Sequence, residues 1–519
     1  MRRARACVLL LLAWLLACGD SDESPPADHD AGDRPEDAAV RDGGEPHDAR
    51  TPDEPPPPED AATLPPEPDA AMPKPDQDAG VRTAAWTVLV YMAADNNLEK
   101  AGIDDLSEML GVHGSDDVNI IVQIDRTVGF YDLGLAGVAN WDSMKRFRVK
   151  RDALEELADL GELDTGSPKT LSDFLSWGLQ TFPAKRRAIV LWDHGNAWRG
   201  YGGDDTSDKD QLDQGEIGQG IADGIHGSGL STVDVIGFDA CLMSSAATAE
   251  LMQPFTRYLI ASEELVPGNG WDYRNSLQYL VDHPDADVPS FAAQVIASFY
   301  AQSRDNRQHR DVTANLLDLS KLAEVDAATS SLLDAVQAKL GSGAREVAAA
   351  QLHALEYGHH ADPNLAHHMR DLGDFAKLLA AADAAYADQA SRLQKALQQL
   401  VVTSAYGSNK AASTGLSLYF PPLRAYYDAD YDVVPQTDRW RSFLKAYYTR
   451  ADAEQLEPPA FEDAHEHHPV GPGSAELPAS AVAGCDPGEG PTITAKLSPG
   501  DAAQVANASL IAGFVETAT

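Results

Sequence analysis

The sequence predicts an α/β fold with a mainly parallel sheet, and three observations lead there. Several short stretches are almost wholly apolar and rich in β-branched and aromatic residues, the pattern of strands covered on both faces. Longer stretches with helical spacing of apolar residues alternate with them, as in sheets whose strands are linked by crossover helices. Two of the strands run directly into residues able to do chemistry, at the carboxyl ends where such sheets hold their ligands.

Taken in order, residues 86–92 (Trp-Thr-Val-Leu-Val-Tyr-Met) form the first buried strand. Asp95-Asn96-Asn97 then supplies a turn and a cap for a helix near 98–110. Residues 118–124 are a second strand, a helix follows near 171–182, and residues 188–192 are a third strand. Residues 233–238 make the fourth strand, residues 246–252 open a helix, and residues 258–261 make a fifth strand. The second half is mainly helical in pattern, over 291–301, 322–340 and 376–400. Residues 415–420 give one more strand, stopped by Pro421-Pro422. Beyond about residue 450 the chain turns loose and acidic, with a small β element expected within 490–519. There is no internal repeat.

The ends of the chain have other characters. Residues 1–18 read as a bacterial lipoprotein signal: Arg2, Arg3 and Arg5, then an apolar run over 8–17 too short to span a membrane, then Leu15-Leu16-Ala17-Cys18 in the manner of a lipobox. A lipid on Cys18 anchors a protein without a spanning helix. Gly19 in place of Asp suits the outer membrane of a Gram-negative cell envelope. An ordinary cleaved signal peptide with an incidental cysteine is the alternative. Residues 19–83 are mostly Asp, Glu, Pro and Ala, with Pro55-Pro56-Pro57-Pro58 among them, and are expected to be a disordered acidic tether. The expected organisation is therefore signal 1–18, tether 19–83, folded body 84–450 and acidic extension 451–519.

The 519 residues carry 81 acidic and 40 basic side chains, a net charge of −41. Such a surface repels phosphate backbones, which argues against a nucleic-acid partner. Of the four cysteines, Cys7 and Cys18 belong to the signal, leaving Cys241 and Cys485 in the body. No spacing among them suggests a metal site. A Cys241–Cys485 disulfide is the alternative to a reactive thiol.

The third strand runs into Trp192-Asp193-His194-Gly195 and the fourth into Phe238-Asp239-Ala240-Cys241. A thiol needs a base or a positive neighbour to become a thiolate at neutral pH, and imidazole both takes that proton and later protonates a leaving amine. Two parallel strands can deliver Cys241 as nucleophile and His194 as base to one crevice. Gly195, lacking Cβ, lets its N–H approach a substrate carbonyl and form an oxyanion hole with the N–H of Cys241. Asp193 should face away from His194, because neighbouring strand residues point oppositely, so a dyad is expected. Asp239 shares a face with Cys241 and is the candidate for binding a basic side chain before the scissile bond.

At these residues the chain resembles the clostripain-like cysteine peptidases. The matching blocks are residues 91–98 (Tyr-Met-Ala-Ala-Asp-Asn-Asn-Leu), 191–195 (Leu-Trp-Asp-His-Gly) and 237–243 (Gly-Phe-Asp-Ala-Cys-Leu-Met). Ser262-Glu263-Glu264 through Pro267, Gly270 and Trp271 resembles a further block, and residues 415–421 a later one. The resemblance covers about 85–450 and implies a caspase-like α/β/α sandwich and endopeptidase activity after Arg or Lys. It departs from the family's pattern at Ser244–Ala249, where relatives often carry Glu-Val-Ala, and near Asn269, where no second pocket acid is evident.

Between the two reactive strands lies a Gly- and Asp-rich loop over 199–220. The resemblance raises self-cleavage, for which Lys209 is a candidate, and Ca²⁺, for which Asp204, Asp205, Asp208 and Asp210 are candidates; a solvated acidic loop is the default. The dyad itself requires no cofactor. His359, His360, His367 and His368 could lie on one helical face, and His465, His467 and His468 lie in the tail, but Pro363 and Pro469 disturb regular spacing and plain surface histidines are preferred over a metal site for both groups. The resulting expectation is a membrane-tethered cysteine endopeptidase acting on proteins or peptides at basic residues. A catalytically idle peptidase fold that binds peptides or surface proteins is the alternative.

Overall fold

The computed structural model describes residues 82–456 and the strand over 492–495. The signal with Cys18, the tether, Cys485 and the tail histidines lie outside the described residues. The first half contains β1 (Ala84–Ala94), α1 (Glu99–Leu110), β2 (Val118–Arg126), β3 (Lys145–Lys150), β4 (Ala153–Asp159), α2 (Pro168–Thr181) and β5 (Ala184–Trp192). Then follow β6 (Tyr201–Asp204), β7 (Asp210–Leu212), α3 (Gln214–Gly227), β8 (Val233–Asp239), α4 (Ala246–Met252) and β9 (Thr256–Ala261). The second half has α5 (Tyr273–Asp282), α6 (Val288–Asp305), β10 (Thr313–Asp318), α7 (Leu322–His353), β11 (Glu356–Tyr357) and β12 (Met369–Asp371). It ends with α8 (Leu372–Ala382), α9 (Ala387–Leu400), β13 (Val401–Tyr406), β14 (Ser417–Tyr419), α10 (Asp438–Ala453) and β15 (Thr492–Ala495).

One sheet organises the protein, in the order β15-β13-β10-β9-β8-β5-β1-β2-β3-β4. Its centre, β9-β8-β5-β1-β2, is parallel throughout. Those are the five strands expected from apolar runs, and every residue of β1 and β2 is buried. Antiparallel strands extend both flanks: β3 and β4 beyond β2, and β10, β13 and β15 beyond β9. β15 falls where the sequence suggested a small β element.

The two faces of β1 show how the layers form. Leu89 and Tyr91 look toward α2, where Tyr91 meets Phe174 at 6.1 Å between ring centroids. Trp86 points the other way, to Phe291 of α6 at 5.4 Å. Helices thus cover both sides, and burial of the strands follows from it. The stretch expected as one helix over 376–400 is two, because Asp383 interrupts it and caps a short 3-10 turn with its side chain. His359, His360, His367 and His368 do not share a helix. They lie in the connection between β11 and β12, where Gly358 takes a left-handed φ of 60° and Pro363 bars helical pairing. His367 and His368 are buried there, and burial pushes each down to about 4. Among the described residues no helix is long and apolar enough to cross a membrane.

Candidate active site

β5 and β8 pair in parallel with Trp192 opposite Asp239. His194 and Cys241 each follow two residues later, just beyond the strand ends, so the register brings the backbones that carry them to the same edge of the sheet. The strand ends stay close beyond the ladder, with Asp193 N–H 3.4 Å from the Asp239 carbonyl oxygen. A Cβ on Gly195 would stand 2.0 Å from the Cys241 carbonyl oxygen and 2.7 Å from its nitrogen. Glycine is therefore required for the backbones after His194 and at Cys241 to approach as they do.

His194 is half-buried, and its Nε2 lies 2.8 Å from Asn97 Oδ1. With that amide oxygen accepting, Nε2 carries the hydrogen and Nδ1 becomes the basic nitrogen. Asp193 faces elsewhere, as alternation requires. Both of its oxygens lie 3.0 Å from Asn96 Nδ2, whose two hydrogens are shared among them and the carbonyls of Ala93 and Gly203. Burial raises the Asp193 carboxyl well above its ordinary range. Consecutive asparagines thus hold consecutive residues of the His-bearing segment. The sequence places them in a turn and cap and in the block 91–98, with no role beside His194. The available signal was that β1 lies beside β5, with Met92 opposite Trp192, so the turn after β1 must arrive beside His194.

Cys241 is buried, and its Sγ accepts from the Val266 N–H at 3.2 Å. A backbone donor at this distance favours a negative sulfur. Cys241 is disulfide-bonded in this structure, so its use as a nucleophile requires reduction. The chain turns sharply just after it. Leu242 adopts a φ of 65°, a left-handed conformation costly for a leucine, and its N–H donates to the Glu264 carbonyl. Ser244 then donates its hydroxyl to the Gly415 carbonyl and accepts the Ser417 N–H at its own carbonyl, while Ser245 caps α4. Strands from the two halves of the chain therefore hold the segment that positions the sulfur. Glu263 and Glu264 act in the same cause: Glu263 accepts from the Gly415 N–H, and Glu264 pairs with Lys410 and accepts from the Gly358 N–H.

Asp239 lies beneath the following loop and is 3 % exposed. Its Oδ2 accepts the Trp271 N–H at 2.9 Å, while Oδ1 is buried without a hydrogen-bond partner. A second carboxylate adjoins it, which the sequence reading did not find: Asp105 of α1, whose Oδ2 accepts the Trp192 Nε1–H at 2.6 Å. A Cβ on Gly270 would sit 2.7 Å from Asp239 Oδ2 and 2.9 Å from Asp105 Oδ2, so both acids reach up to that glycine. Burial, then mutual repulsion, raises Asp105, and burial raises Asp239. Glu108, one helical turn on, is pushed up to about 7, chiefly by burial. Asp105 went unnoticed because it sits on a helix far from the motif, and only the sheet register places α1 over the end of β8.

The loop between the strands folds into the β6–β7 hairpin. Asp208 and Lys209 form its exposed tip, both with left-handed φ. Asp204, Asp205, Asp208 and Asp210 do not gather about one point. Asp204 is buried and accepts the Thr165 N–H at 2.8 Å, whereas the other three are exposed.

The sequence profile of the clostripain family matches residues 90–447. Clostripain of Hathewaya histolytica is 24 % identical over 218 residues, 36 % of this chain and 40 % of that protein, so the chain spans well under half the length of this relative. A secreted C11 cysteine protease from Bacteroides thetaiotaomicron, solved with an irreversible peptide inhibitor, has a TM-score of 0.49 and 19 % identity over 72 % of this chain and 99 % of that one. An inactive zymogen C11 protease from Parabacteroides distasonis has a TM-score of 0.49 and 20 % identity, with 71 % and 98 % covered.

Proposed function

The chain belongs to the clostripain family, and from that premise we propose that it is a cysteine endopeptidase with Cys241 as nucleophile and His194 as base. One observation supports this reading most: the parallel register sets Trp192 against Asp239, and beyond it the Gly195 backbone is pressed on that of Cys241. After reduction of Cys241, His194 Nδ1 takes the thiol proton. The thiolate attacks the scissile carbonyl carbon, and the N–H groups of Gly195 and Cys241 stabilise the oxyanion, a contribution of about 3–4 kcal/mol per donor in other enzymes. His194 gives its proton to the leaving amine, and water then attacks the thioester to release the acid and restore the thiol. Asn97 keeps the imidazole in the tautomer this needs.

The preference for Arg or Lys before the scissile bond is assigned to Asp239, with Asp105 beside it. Two buried carboxylates without a cation are costly, and a guanidinium or ammonium would relieve that cost. Since both lie under Gly270, the loop over 265–271 must move to admit such a side chain. The lipobox at Cys18 and the acidic tether support placement on the cell envelope, anchored by lipid.

The test is hydrolysis of fluorogenic Arg-, Lys- and Ala-terminated peptides, with and without thiol reductant, by the protein and by Cys241→Ala and His194→Ala variants. Turnover that requires reductant and both side chains is expected. Equal turnover by all three proteins would sink the dyad. Peptide binding without turnover by any of them would favour a binding role instead.

A further inference from the structure

We propose that the cavity between α4, α7 and α10 binds a small organic cation, an ammonium group carried on a compact apolar body. This site contains neither the cysteine nor the histidine and does not depend on the peptidase reading. The cavity holds about 250 Å³. An apolar cavity of about 150 Å³ takes up benzene, so this one suits a phenyl ring with a short side chain. Its wall is mainly apolar, with a few polar groups to fix orientation, the pattern of small-molecule sites.

Two carboxylates decide the charge of the ligand. Glu250 of α4 and Asp326 of α7 both line the cavity, and among the described residues neither has a hydrogen bond or an ion pair. Burial, then repulsion from Asp326, pushes Glu250 up to about 8, and burial raises Asp326 as well. Acids held this way are costly without a cation beside them. Arg439 lies on the same wall but is engaged, donating to the Ser330 carbonyl at 3.1 Å and to Asp334 at 2.5 Å. Three rings supply the rest. Trp198, Tyr419 and Tyr431 line the cavity with centroids 5.0 Å (Trp198–Tyr419), 5.2 Å (Trp198–Tyr431) and 4.7 Å (Tyr419–Tyr431) apart. The faces of such rings attract an ammonium group. Trp198 is 3 % exposed, and its Nε1–H is buried without a hydrogen-bond partner among the described residues. An aryl ring on the ligand would accept that donor through its face. Arg199, 4.5 Å from the Trp198 ring centroid, is paired with Asp428.

The cavity's position gives occupancy a consequence. Trp198 stands four residues after His194. Ser245, which also lines the cavity and caps α4, stands four residues after Cys241. An amine held there would touch both segments that follow the reactive side chains and tie them to α7 in the second half of the chain. It would brace the fold from outside the reacting atoms.

The full chain is titrated with phenethylamine by isothermal calorimetry and by thermal unfolding, in about 0.15 M NaCl to screen the acidic surface. Phenethyl alcohol and phenylacetate serve as neutral and anionic controls of similar size. A saturable isotherm of one amine per chain is expected, at least about tenfold weaker for the alcohol and absent for the acid. Tm should rise by roughly 2–5 °C at about one hundred times Kd. Glu250→Gln should weaken the amine at least about tenfold and leave the alcohol unchanged. If Glu250→Gln does not fold, Asp326→Asn on α7 should do the same. Asp239→Asn should leave the isotherm as it is, which separates this cavity from the acids beneath Gly270. Equal binding of the alcohol, no saturable isotherm, or an isotherm that survives Glu250→Gln and Asp326→Asn but is lost in Asp239→Asn would overturn the proposal.

Discussion

Replacing Gly195 with alanine isolates the approach of the two strand ends from every hydrogen bond they make, because alanine keeps the backbone N–H. The new Cβ would meet the Cys241 carbonyl oxygen at 2.0 Å, where real Cβ contacts essentially never fall under 3.0 Å. Both colliding groups are backbone, so the strand ends must part by at least about 1 Å. A displacement of that size between reacting groups costs about 100-fold in rate, equivalent to about 2.7 kcal/mol. Overpacking of this kind costs about 1–3 kcal/mol of stability, a fall in Tm of only a few degrees for a domain this large. The assay is kcat/KM on a fluorogenic peptide under reductant, beside a melting curve. Loss of activity with a cooperative, slightly lowered transition is the expected result. Activity within about threefold of the parent, with unchanged melting, would refute the argument that glycine sets the spacing of His194 and Cys241.

Asn97→Ala removes the partner of His194 Nε2 and should lower kcat/KM about fivefold, the worth of one neutral hydrogen bond, and displace the basic-nitrogen limb of the pH–rate profile; an unmoved profile would remove Asn97 from that role. Asp239→Asn should reduce cleavage after Arg and Lys about 10- to 100-fold while sparing a neutral-residue peptide, with a smaller loss for Asp105→Asn, measured as the ratio of the two kcat/KM values. Since burial raises both carboxyls, they take up protons on acidification earlier than an ordinary carboxylate near pH 4. Selectivity for basic residues should therefore be full at alkaline pH and fall as pH drops through that raised range, read from the same ratio across a pH series.

The parallel centre of the sheet was legible because strands buried on both faces leave no polar alternation, as in Trp86–Met92. Its antiparallel flanks were not. β3 reads Lys-Arg-Phe-Arg-Val-Lys and β4 has no buried residue, so neither stands out from loop by hydropathy. Cys241, His194 and Gly195 were found because their chemistry is local to strand ends. Asn97, Val266 and Asp105 were not, because each acts through a contact that only the pairing of distant segments creates. The acidic loop reads as solvated by default, and that holds for three of its four aspartates; only Asp204 is buried, where it offers an oxygen within 4.8 Å of oxygens of Asp95, Asp125 and Glu162 from other elements.

The seryl clamp on the nucleophile segment has a consequence for the order of events in synthesis. Ser244 is held by groups 171 and 173 residues further along, at Gly415 and Ser417. Contacts of such separation close late, after most of the chain has been made. A polypeptide still emerging from the ribosome thus carries both reactive side chains long before the turn at Leu242 is braced. A truncation ending before residue 415 should expose Ser244 and Cys241 amides to rapid hydrogen exchange, so that maturity of the reactive centre coincides with completion of the fold.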